Sequence, residues 1–198
     1  LQGQLALLLV GFLASASQAG IYRVADAIAQ VTALIASVAG TAATPLFAKL
    51  WGDQDRAGLQ RLAVAAAWAM TLGAMGLGLP VLLLGPWLFP ALFGTEFGVS
   101  VPVFALLLAG LIAAGTLGLT LALANMTGQH LLATRAFIII AVINLLCGVL
   151  LIPAHGALGG AIGTVFGTLL GTGWCALAYY RRTGLNPTLF QAGAIRIG

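Results

Sequence analysis

Two ionisable residues stand three positions apart in a stretch of otherwise small and apolar residues. Arg23 and Asp26 lie at the start of a predicted helix over residues 24–46, and a spacing of three places both side chains on one helical face. Ionisable residues at membrane depth usually face a protein interior or a water-filled cavity. The pair therefore predicts a polar site; the alternative is that Arg23 reaches the lipid headgroups and Asp26 neutralises it.

A few uncharged polar residues extend this candidate site. Gln30 follows Asp26 by one helical turn, Asn144 is the deepest polar residue in its apolar stretch, and Thr32 and Asn125 are further candidates. Each of these residues can line a substrate cavity or join two helices by a hydrogen bond. The sequence has no histidine and cysteine spacing typical of a zinc or haem site. We therefore predict no metal, no cofactor and no catalytic residue.

The elements that position these residues follow from the composition. Eight basic and four acidic residues among 198 make the chain 6% charged and 61% hydrophobic, whereas about a quarter of the residues in a soluble domain are charged. Between the charged patches lie apolar stretches close to the ~20 residues of a membrane-crossing helix, without the alternation of a membrane β-barrel. We predict an all-α integral membrane protein, one six-helix bundle over residues 1–198, with helices at 5–19, 24–46, 62–84, 103–124, 131–152 and 157–178.

Basic residues gather on one side of these six predicted crossings. Arg23 alone lies on the other side, and the gathered residues are Lys49, Arg56, Arg61, Arg135, Arg181, Arg182 and Arg196. Because basic residues in short loops mark the cytoplasmic side, we predict that both termini are cytoplasmic, with residues 179–198 as a tail. The net charge of +4 fits an affinity for membrane lipids with anionic headgroups. The sequence shows no nucleic-acid-binding signature, and we predict no nucleic-acid partner. The first apolar stretch also fits a secretory signal, but no basic residue precedes it, which favours a true helix.

Glycine recurs every fourth residue in the sixth predicted helix, at Gly159, Gly163, Gly167 and Gly171. Such a stripe lets two helices approach closely in lipid; the alternative is a surface along which one helix slides during transport. Pro80 follows a glycine-rich run in the third helix and predicts a kink. Such a kink can serve gating; the alternative is that glycine and proline are simply frequent in membrane helices. Pro45 predicts the end of the second helix. Aromatic residues near the helix ends, among them Tyr22 and Tyr179, predict belts at the two membrane surfaces.

A series of short motifs, in order along nearly the whole chain, resembles a known family. The motifs are Gly20-Ile21-Tyr22-Arg23-Val24-Ala25, Pro45-Leu46-Phe47-Ala48-Lys49-Leu50, Leu92-Phe93-Gly94-Thr95-Glu96-Phe97, Met126-Thr127-Gly128-Gln129, Asn144-Leu145-Leu146 and Leu151-Ile152-Pro153-Ala154-His155-Gly156-Ala157. Together they are similar to landmarks of the polysaccharide (O-antigen type) flippases, which share a superfamily with the multidrug and toxic compound extrusion transporters. The landmarks resemble those of the second of two lobes, so the resemblance implies a C-terminal half of a transporter.

This resemblance implies a function for Arg23. The flippases carry an anionic polyprenyl-diphosphate-linked glycan across the inner membrane through a cationic and polar cavity, and Arg23 is the basic residue positioned to match, although Asp26 departs from a purely cationic cavity. A missing N-terminal lobe or a second copy would complete the path. The alternatives are a lobe of a cation-coupled multidrug exporter, for which Asp26 is the available acid, and a truncated membrane protein that does not transport. The short loops do not favour an enzyme.

Overall fold

The computed structural model describes residues 2–117 and 119–184, and almost all of these residues are helical. One short 3-10 helix, Thr95–Val99, lies among seven α-helices in the described ranges, which contain no strand and so confirm the all-helical prediction. The α-helices are α1 (Gln2–Leu13), α2 (Ala16–Gly52), α3 (Arg56–Phe93), α4 (Ser100–Thr116), α5 (Thr120–Met126), α6 (His130–His155) and α7 (Ala157–Thr183).

Four stretches of the described chain are long and apolar enough to cross a membrane. They are α3, the continuous Thr95–Thr116 stretch that ends with α4, and the helices α6 and α7. Helix α7 is the most enclosed of the four, whereas only about a quarter of the residues in the apolar windows of the other three are buried. A bundle that exposes this much apolar surface fits a membrane as its solvent.

The second helix is longer at both ends than its sequence predicts. It begins at Ala16, because the hydroxyl of Ser15 accepts a 3.3 Å hydrogen bond from the backbone N–H of Gln18 and caps the first turn. The predicted end at Pro45 is wrong, since the helix continues to Gly52. A proline removes one backbone hydrogen bond, but Phe47 beyond it is fully buried, and this packing stabilises the last turns.

The predicted helix over 103–124 is two helices in the structure. Helix α4 ends at Thr116 and α5 begins at Thr120. The hydroxyl of Thr116 donates to the carbonyl of Ala113 at 2.6 Å, and that of Thr120 donates to the carbonyl of Leu117. Such bonds from a side chain to the preceding turn compete with a regular helix, which hydropathy alone does not reveal.

Two separate clusters of buried side chains form the interior, and we name each after its buried tyrosine. The Tyr22 core contains Ala6, Val10, Tyr22, Ala25, Phe89, Val103, Phe104, Leu107, Leu108, Ile152, Ala157, Ala161 and Val165. The Tyr179 core contains Ala43, Phe47, Leu59, Ala63, Ala66, Leu123, Ala124, Leu132, Ala133, Ala136, Cys175 and Tyr179. Both tyrosines are fully buried, so their assignment to surface belts is wrong.

The basic residues lie at the end of the bundle that holds the Tyr179 core. This end is formed by the end of α2, the start of α3, the start of α6 and the end of α7. Exposed basic side chains here are Lys49, Arg56, Arg61, Arg135, Arg181 and Arg182. Arg23 lies in the other half, while Arg196 and the rest of the predicted tail from residue 185 onward lie outside the described residues.

The glycine stripe of α7 faces α6. A Cβ atom at Gly159 would lie 2.5 Å from the carbonyl of Leu151, and one at Gly167 would lie 2.9 Å from the carbonyl of Ile140. At Gly171 it would lie 2.9 Å from the carbonyl oxygen of Ala136. The two backbones therefore lie in close contact from Gly159 to Gly171, an approach that only glycine permits.

A polar cavity between α2, α4 and α7

A cavity of about 210 Å³ lies where α2, α4 and α7 meet. Its polar wall is formed by Asp26 and Gln30 from α2 and by Thr164 and Thr168 from α7. The remaining lining is apolar and small: Ala29, Ala33, Leu107, Gly110, Leu111, Ala114 and Val165. The cavity thus combines a few convergent polar groups with an otherwise apolar lining, the usual composition of a ligand site.

Asp26 is held mainly by Gln30, one turn further along α2. The amide Nε2 of Gln30 donates a short hydrogen bond to Oδ2 of Asp26. A guanidinium nitrogen of Arg23 lies 3.9 Å from the same oxygen, which is too long for a hydrogen bond and at the limit of an ion pair. The side chain of Asp26 is only 9% exposed, whereas that of Arg23 is 57% exposed. Most of the guanidinium is therefore free to contact another anion.

The α7 wall is organised by the hydroxyl of Thr164, which joins three helices. It lies 3.1 Å from the hydroxyl of Tyr22 on α2, accepts from Nδ2 of Asn144 on α6 at 3.3 Å, and donates to the carbonyl of Gly160 at 3.0 Å. A hydroxyl has one hydrogen and two lone pairs. Because the hydrogen goes to Gly160, Tyr22 must be the donor of its bond to Thr164, and the hydroxyl of Thr164 has no capacity left.

The polar residues Asp26, Asn144 and Thr164 lie well inside the helices that carry them. Asp26 is about ten residues from the start of α2, or about 15 Å. Asn144 is about 16 Å from the end of α6 at His155, and Thr164 is about 10 Å from the start of α7. Asp26 is therefore deeper than its predicted position at the helix end, because α2 starts eight residues before residue 24.

A glycine of α4 sets the width of the cavity. A Cβ atom at Gly110 would lie 2.6 Å from Cγ2 of Val165 on α7, so α4 approaches α7 closely at this level. One turn further along α7, the hydroxyl of Thr168 donates to the carbonyl of Thr164 at 2.8 Å. This bond directs the hydroxyl hydrogen of Thr168 to its own helix.

Only some of the predicted site residues lie together at the cavity. Asp26 and Gln30 line the cavity, Arg23 lies one turn away at its edge, and Asn144 joins it through Thr164. Thr32 is buried and bonds to its own helix at the carbonyl of Ile28. Pro80 and the glycine stripe are not among the lining residues. Helix α3 continues through Pro80 to Phe93, and the kink there stays a prediction.

Two residues of the site, Tyr22 and Thr164, are not among the site residues that the sequence predicts. Tyr22 resembles an interfacial aromatic residue because it precedes an arginine near a predicted helix end, yet it is completely buried. A signal for Thr164 exists in the repeat of threonine at 164, 168 and 172, which places hydroxyl groups along one face of α7. The tertiary partners of that face cannot be read from the repeat.

Within the described ranges, no group of three or more His, Cys, Asp or Glu side chains is arranged to hold a metal ion. Asp26 is the one carboxylate that lines the cavity, and His130 and His155 lie at opposite ends of α6. The polar groups of the cavity are thus hydroxyls, one amide and one carboxylate, with the exposed guanidinium of Arg23 at its edge. Comparison of the chain with family models, with curated proteins and with solved structures finds no match.

Proposed function

We propose that the protein is one lobe of a membrane transporter that moves polyprenyl-diphosphate-linked oligosaccharide or polysaccharide precursors across the inner membrane. In this proposal the chain crosses the membrane six times, both termini are cytoplasmic, and it performs no chemical reaction. The observation that carries the proposal is the polar cavity between α2, α4 and α7, with Arg23 at its edge.

Polar side chains well inside the helices are unusual in a chain that is only 6% charged, and they require an explanation. Asp26 lies about 15 Å inside α2, and Gln30 beside it is exposed on the bundle surface. A carboxylate facing hydrocarbon costs several kcal/mol, so such residues normally face water or protein. The α2 face with Asp26 and Gln30 therefore fits the water-filled path of a transporter better than a lipid contact.

The size of the cavity supports a lobe rather than a complete transporter. Sites for drug-sized ligands enclose roughly 300–1,000 Å³, and this cavity encloses about 210 Å³. Many transporters are built from two related units with the substrate path between them. An N-terminal lobe or a second copy of this chain, facing α2 and α7, would enlarge the cavity to the size that a diphosphate-linked sugar requires.

Arg23 is the residue best suited to the substrate diphosphate. Its guanidinium presents a planar set of donors that matches phosphate oxygens in a bidentate way. The 3.9 Å separation from Asp26 leaves these donors largely unoccupied. The other basic residues within the described ranges lie at the end with the Tyr179 core and are too remote to line this cavity.

A binding measurement in lipid nanodiscs tests this role. The probe is an undecaprenyl-diphosphate-linked disaccharide, compared with the undecaprenol that lacks the diphosphate, by native mass spectrometry. We expect Arg23→Ala to weaken diphosphate binding about tenfold or more, the ~1.5–3 kcal/mol of a charge-assisted hydrogen bond, and Arg23→Lys to weaken it less. Arg135→Ala, at the other end, is the matched control. Equal affinity for both lipids, or equal loss in both alanine variants, contradicts the proposal.

A cation-coupled exporter is the second candidate, and one observation favours it. Asp26 lies inside the cavity and is nearly buried, as a proton- or cation-binding acid in such a transporter must be. Asp26→Asn keeps the shape and the hydrogen bond to Gln30 but removes the charge. Drug efflux that is abolished by this substitution, in cells where diphosphate-lipid binding is normal, would favour the exporter over the flippase.

A further inference from the structure

A second cavity, of about 300 Å³, lies at the turn between α2 and α3, and we name it the turn cavity. It is larger than the polar cavity and reaches the lower end of the roughly 300–1,000 Å³ typical of ligand sites. Its lining residues are Leu50, Trp51, Gln54, Asp55, Arg56 and Leu59. None of them lines the polar cavity, so the two cavities are separate.

The turn that forms this cavity is fixed by backbone hydrogen bonds. The N–H of Asp55 donates to the carbonyl of Leu50 at 3.0 Å, and that of Gln54 donates to the carbonyl of Trp51 at 3.2 Å. These two bonds form a Schellman motif, which ends a helix with one residue in the left-handed conformation. Gln54 is that residue, with a φ of 57°. The cavity wall is therefore a short, defined turn between two long helices.

Gln54 stands at a position where glycine is usual. Among the described residues other than glycine, it alone has a positive φ. The left-handed conformation costs a residue with a Cβ atom about 1–2 kcal/mol, and a side chain kept at such a position points to a function for that side chain. Gln54 lines the turn cavity, and its amide can both donate to and accept from a polar ligand.

Two opposite charges line the turn cavity. Asp55 and Arg56 are both exposed, and the one ion pair within the described ranges joins Arg23 to Asp26, so these two side chains are not paired with each other. Oδ1 of Asp55 accepts a 2.8 Å hydrogen bond from the N–H of Gly58 and caps α3, which fixes the carboxylate at the start of this helix. The cavity therefore offers an anionic and a cationic group at the same time.

The rest of the lining is mainly apolar. Leu59 belongs to the Tyr179 core and is fully buried, and Leu50 and Trp51 are half-buried. Tryptophan has an apolar body and one N–H donor, a combination that is enriched at the boundary between membrane and water. The turn cavity thus combines a charged side with an apolar side, as a phospholipid does at its headgroup.

Helix α3 places the turn cavity near a membrane surface. This helix is one of the four stretches long and apolar enough to cross a membrane, and its apolar part begins at Leu62, directly after Arg61. Arg56 precedes Leu62 by six residues, or about 9 Å, and the headgroup layer outside the hydrocarbon is about 5–8 Å thick on each side. The charged side of the turn cavity therefore lies close to the level of the lipid headgroups.

We infer that the turn cavity binds the headgroup of a zwitterionic phospholipid with a primary ammonium group, a phosphatidylethanolamine. Arg56 contacts the phosphate, because a guanidinium matches phosphate oxygens. Asp55 accepts a hydrogen bond from the ammonium group, and Gln54 bonds to either group. A choline headgroup has no N–H to donate, and a glycerol headgroup has no cation for Asp55. Binding here requires a membrane around the protein but no transport, so it holds or fails independently of the proposed function.

Native mass spectrometry of the protein with bound lipids tests the headgroup site. The probes are phosphatidylethanolamine, phosphatidylcholine and phosphatidylglycerol with the same acyl chains, offered together in equal amounts. We expect phosphatidylethanolamine to be retained about tenfold or more over either of the other two, the effect of one charge-assisted hydrogen bond. Equal retention of all three lipids overturns the inference. So does a preference for phosphatidylglycerol, which would mean that the basic residues at this end attract anionic lipids without a headgroup site.

Four substitutions assign the preference to the turn cavity. Asp55→Asn keeps the cap, since asparagine caps helices as well as aspartate does, and it should reduce retention of phosphatidylethanolamine to that of phosphatidylcholine. Arg56→Ala should reduce retention of all three lipids, because they share the phosphate. Asp53→Asn and Arg61→Ala are the matched controls, since both residues are exposed and charged but do not line the cavity. Equal effects of the controls and the cavity variants overturn the inference.

Gln54→Gly separates binding from folding. Glycine is the favoured residue at this left-handed position, so the variant should unfold no more easily than the native protein in a detergent titration followed by circular dichroism. Its retention of phosphatidylethanolamine should fall roughly two- to tenfold, the effect of one uncharged hydrogen bond. Unchanged retention in this variant overturns the inference.

Inorganic phosphate distinguishes a lipid headgroup site from a site for free phosphate. We expect bound phosphatidylethanolamine to persist when inorganic phosphate is added in excess, because Leu50, Trp51 and Leu59 contact the apolar part of the lipid and contribute nothing to binding of the free anion. Displacement of the lipid by inorganic phosphate overturns the assignment to a phospholipid.

Discussion

The contact between α6 and α7 predicts a graded response to one added methyl group. Alanine at Gly159 would place Cβ 2.5 Å from backbone atoms of Leu151, against the roughly 3.5 Å of an ordinary carbon contact. The helices must therefore separate by about 1 Å locally, which loses a quarter to a half of the dispersion attraction at each affected contact. Overpacking of this size costs about 1–3 kcal/mol, and we expect Gly159→Ala to fall in that range.

Three further glycines of α7 extend this test to a series of alanine variants, and Gly173→Ala is the control. At Gly167 the nearest backbone atom would be 2.9 Å from Cβ, at Gly163 it would be 3.2 Å, and at Gly173 nothing lies within 4 Å. We expect the loss of stability to decrease in this order. Gly173→Ala should be neutral or stabilise the protein by up to about 1 kcal/mol, because alanine is the better helix former.

Unfolding of the four alanine variants in mixed detergent micelles, followed by far-UV circular dichroism, measures the differences. The free energy of unfolding should fall most for Gly159→Ala and not at all for Gly173→Ala. If Gly173→Ala destabilises as much as Gly159→Ala, or if the order of the series is reversed, the close packing of α6 on α7 is not what stabilises this part of the bundle.

Three further predictions concern single hydrogen bonds and one close contact. Thr164→Val removes the hydrogen bonds of Thr164 to Tyr22 and Asn144. It should lower the free energy of unfolding by about 1–3 kcal/mol, since interhelical bonds in membranes contribute about 0.6–1.7 kcal/mol each. Unchanged stability in the same detergent unfolding experiment would contradict the connection of three helices through Thr164. Gln18→Ala removes the side chain that accepts a hydrogen bond from the N–H of Ala157 at 3.0 Å, and it should lower the free energy of unfolding by about 1 kcal/mol. An unchanged free energy of unfolding would mean that water replaces the bond. Gly110→Ala places a methyl group against α7 and should reduce binding of the diphosphate-linked lipid in nanodiscs; full binding would show that the width of the cavity is not critical.

The sequence predicts the helices well because hydrophobic length is a local property. Four of the six predicted ranges lie within single helices, whereas 5–19 is divided between α1 and α2 and 103–124 between α4 and α5. The glycine spacing in α7 identifies a face suited to close packing. Helix ends are less predictable, since Ser15 caps α2 and Phe47 extends it beyond Pro45 through contacts that a hydropathy pattern does not contain. The break between α4 and α5 depends in the same way on where two hydroxyls donate.

The candidate site shows more clearly that contacts between distant helices cannot be predicted from local sequence. Asp26 and Gln30 can be paired from their spacing on one helix, and the structure places them together on the cavity wall. The connection of Tyr22 to Thr164 spans 142 positions of sequence and arises only when α2 packs against α7. Burial of Tyr22 is likewise a consequence of tertiary packing, so its sequence position near a helix end was misleading.

The central claim is that water reaches the cavity between α2, α4 and α7 in a protein otherwise surrounded by lipid. Single cysteines in place of Ala29, which lines the cavity and is half-buried, and of Ala141, which is exposed on α6, test it directly. With the native cysteines replaced by alanine and the protein in liposomes, a membrane-impermeant maleimide requires a hydrated thiolate to react. The account predicts that the cysteine at position 29 is labelled and the more exposed one at position 141 is not. Labelling of position 141 but not of position 29 would contradict it.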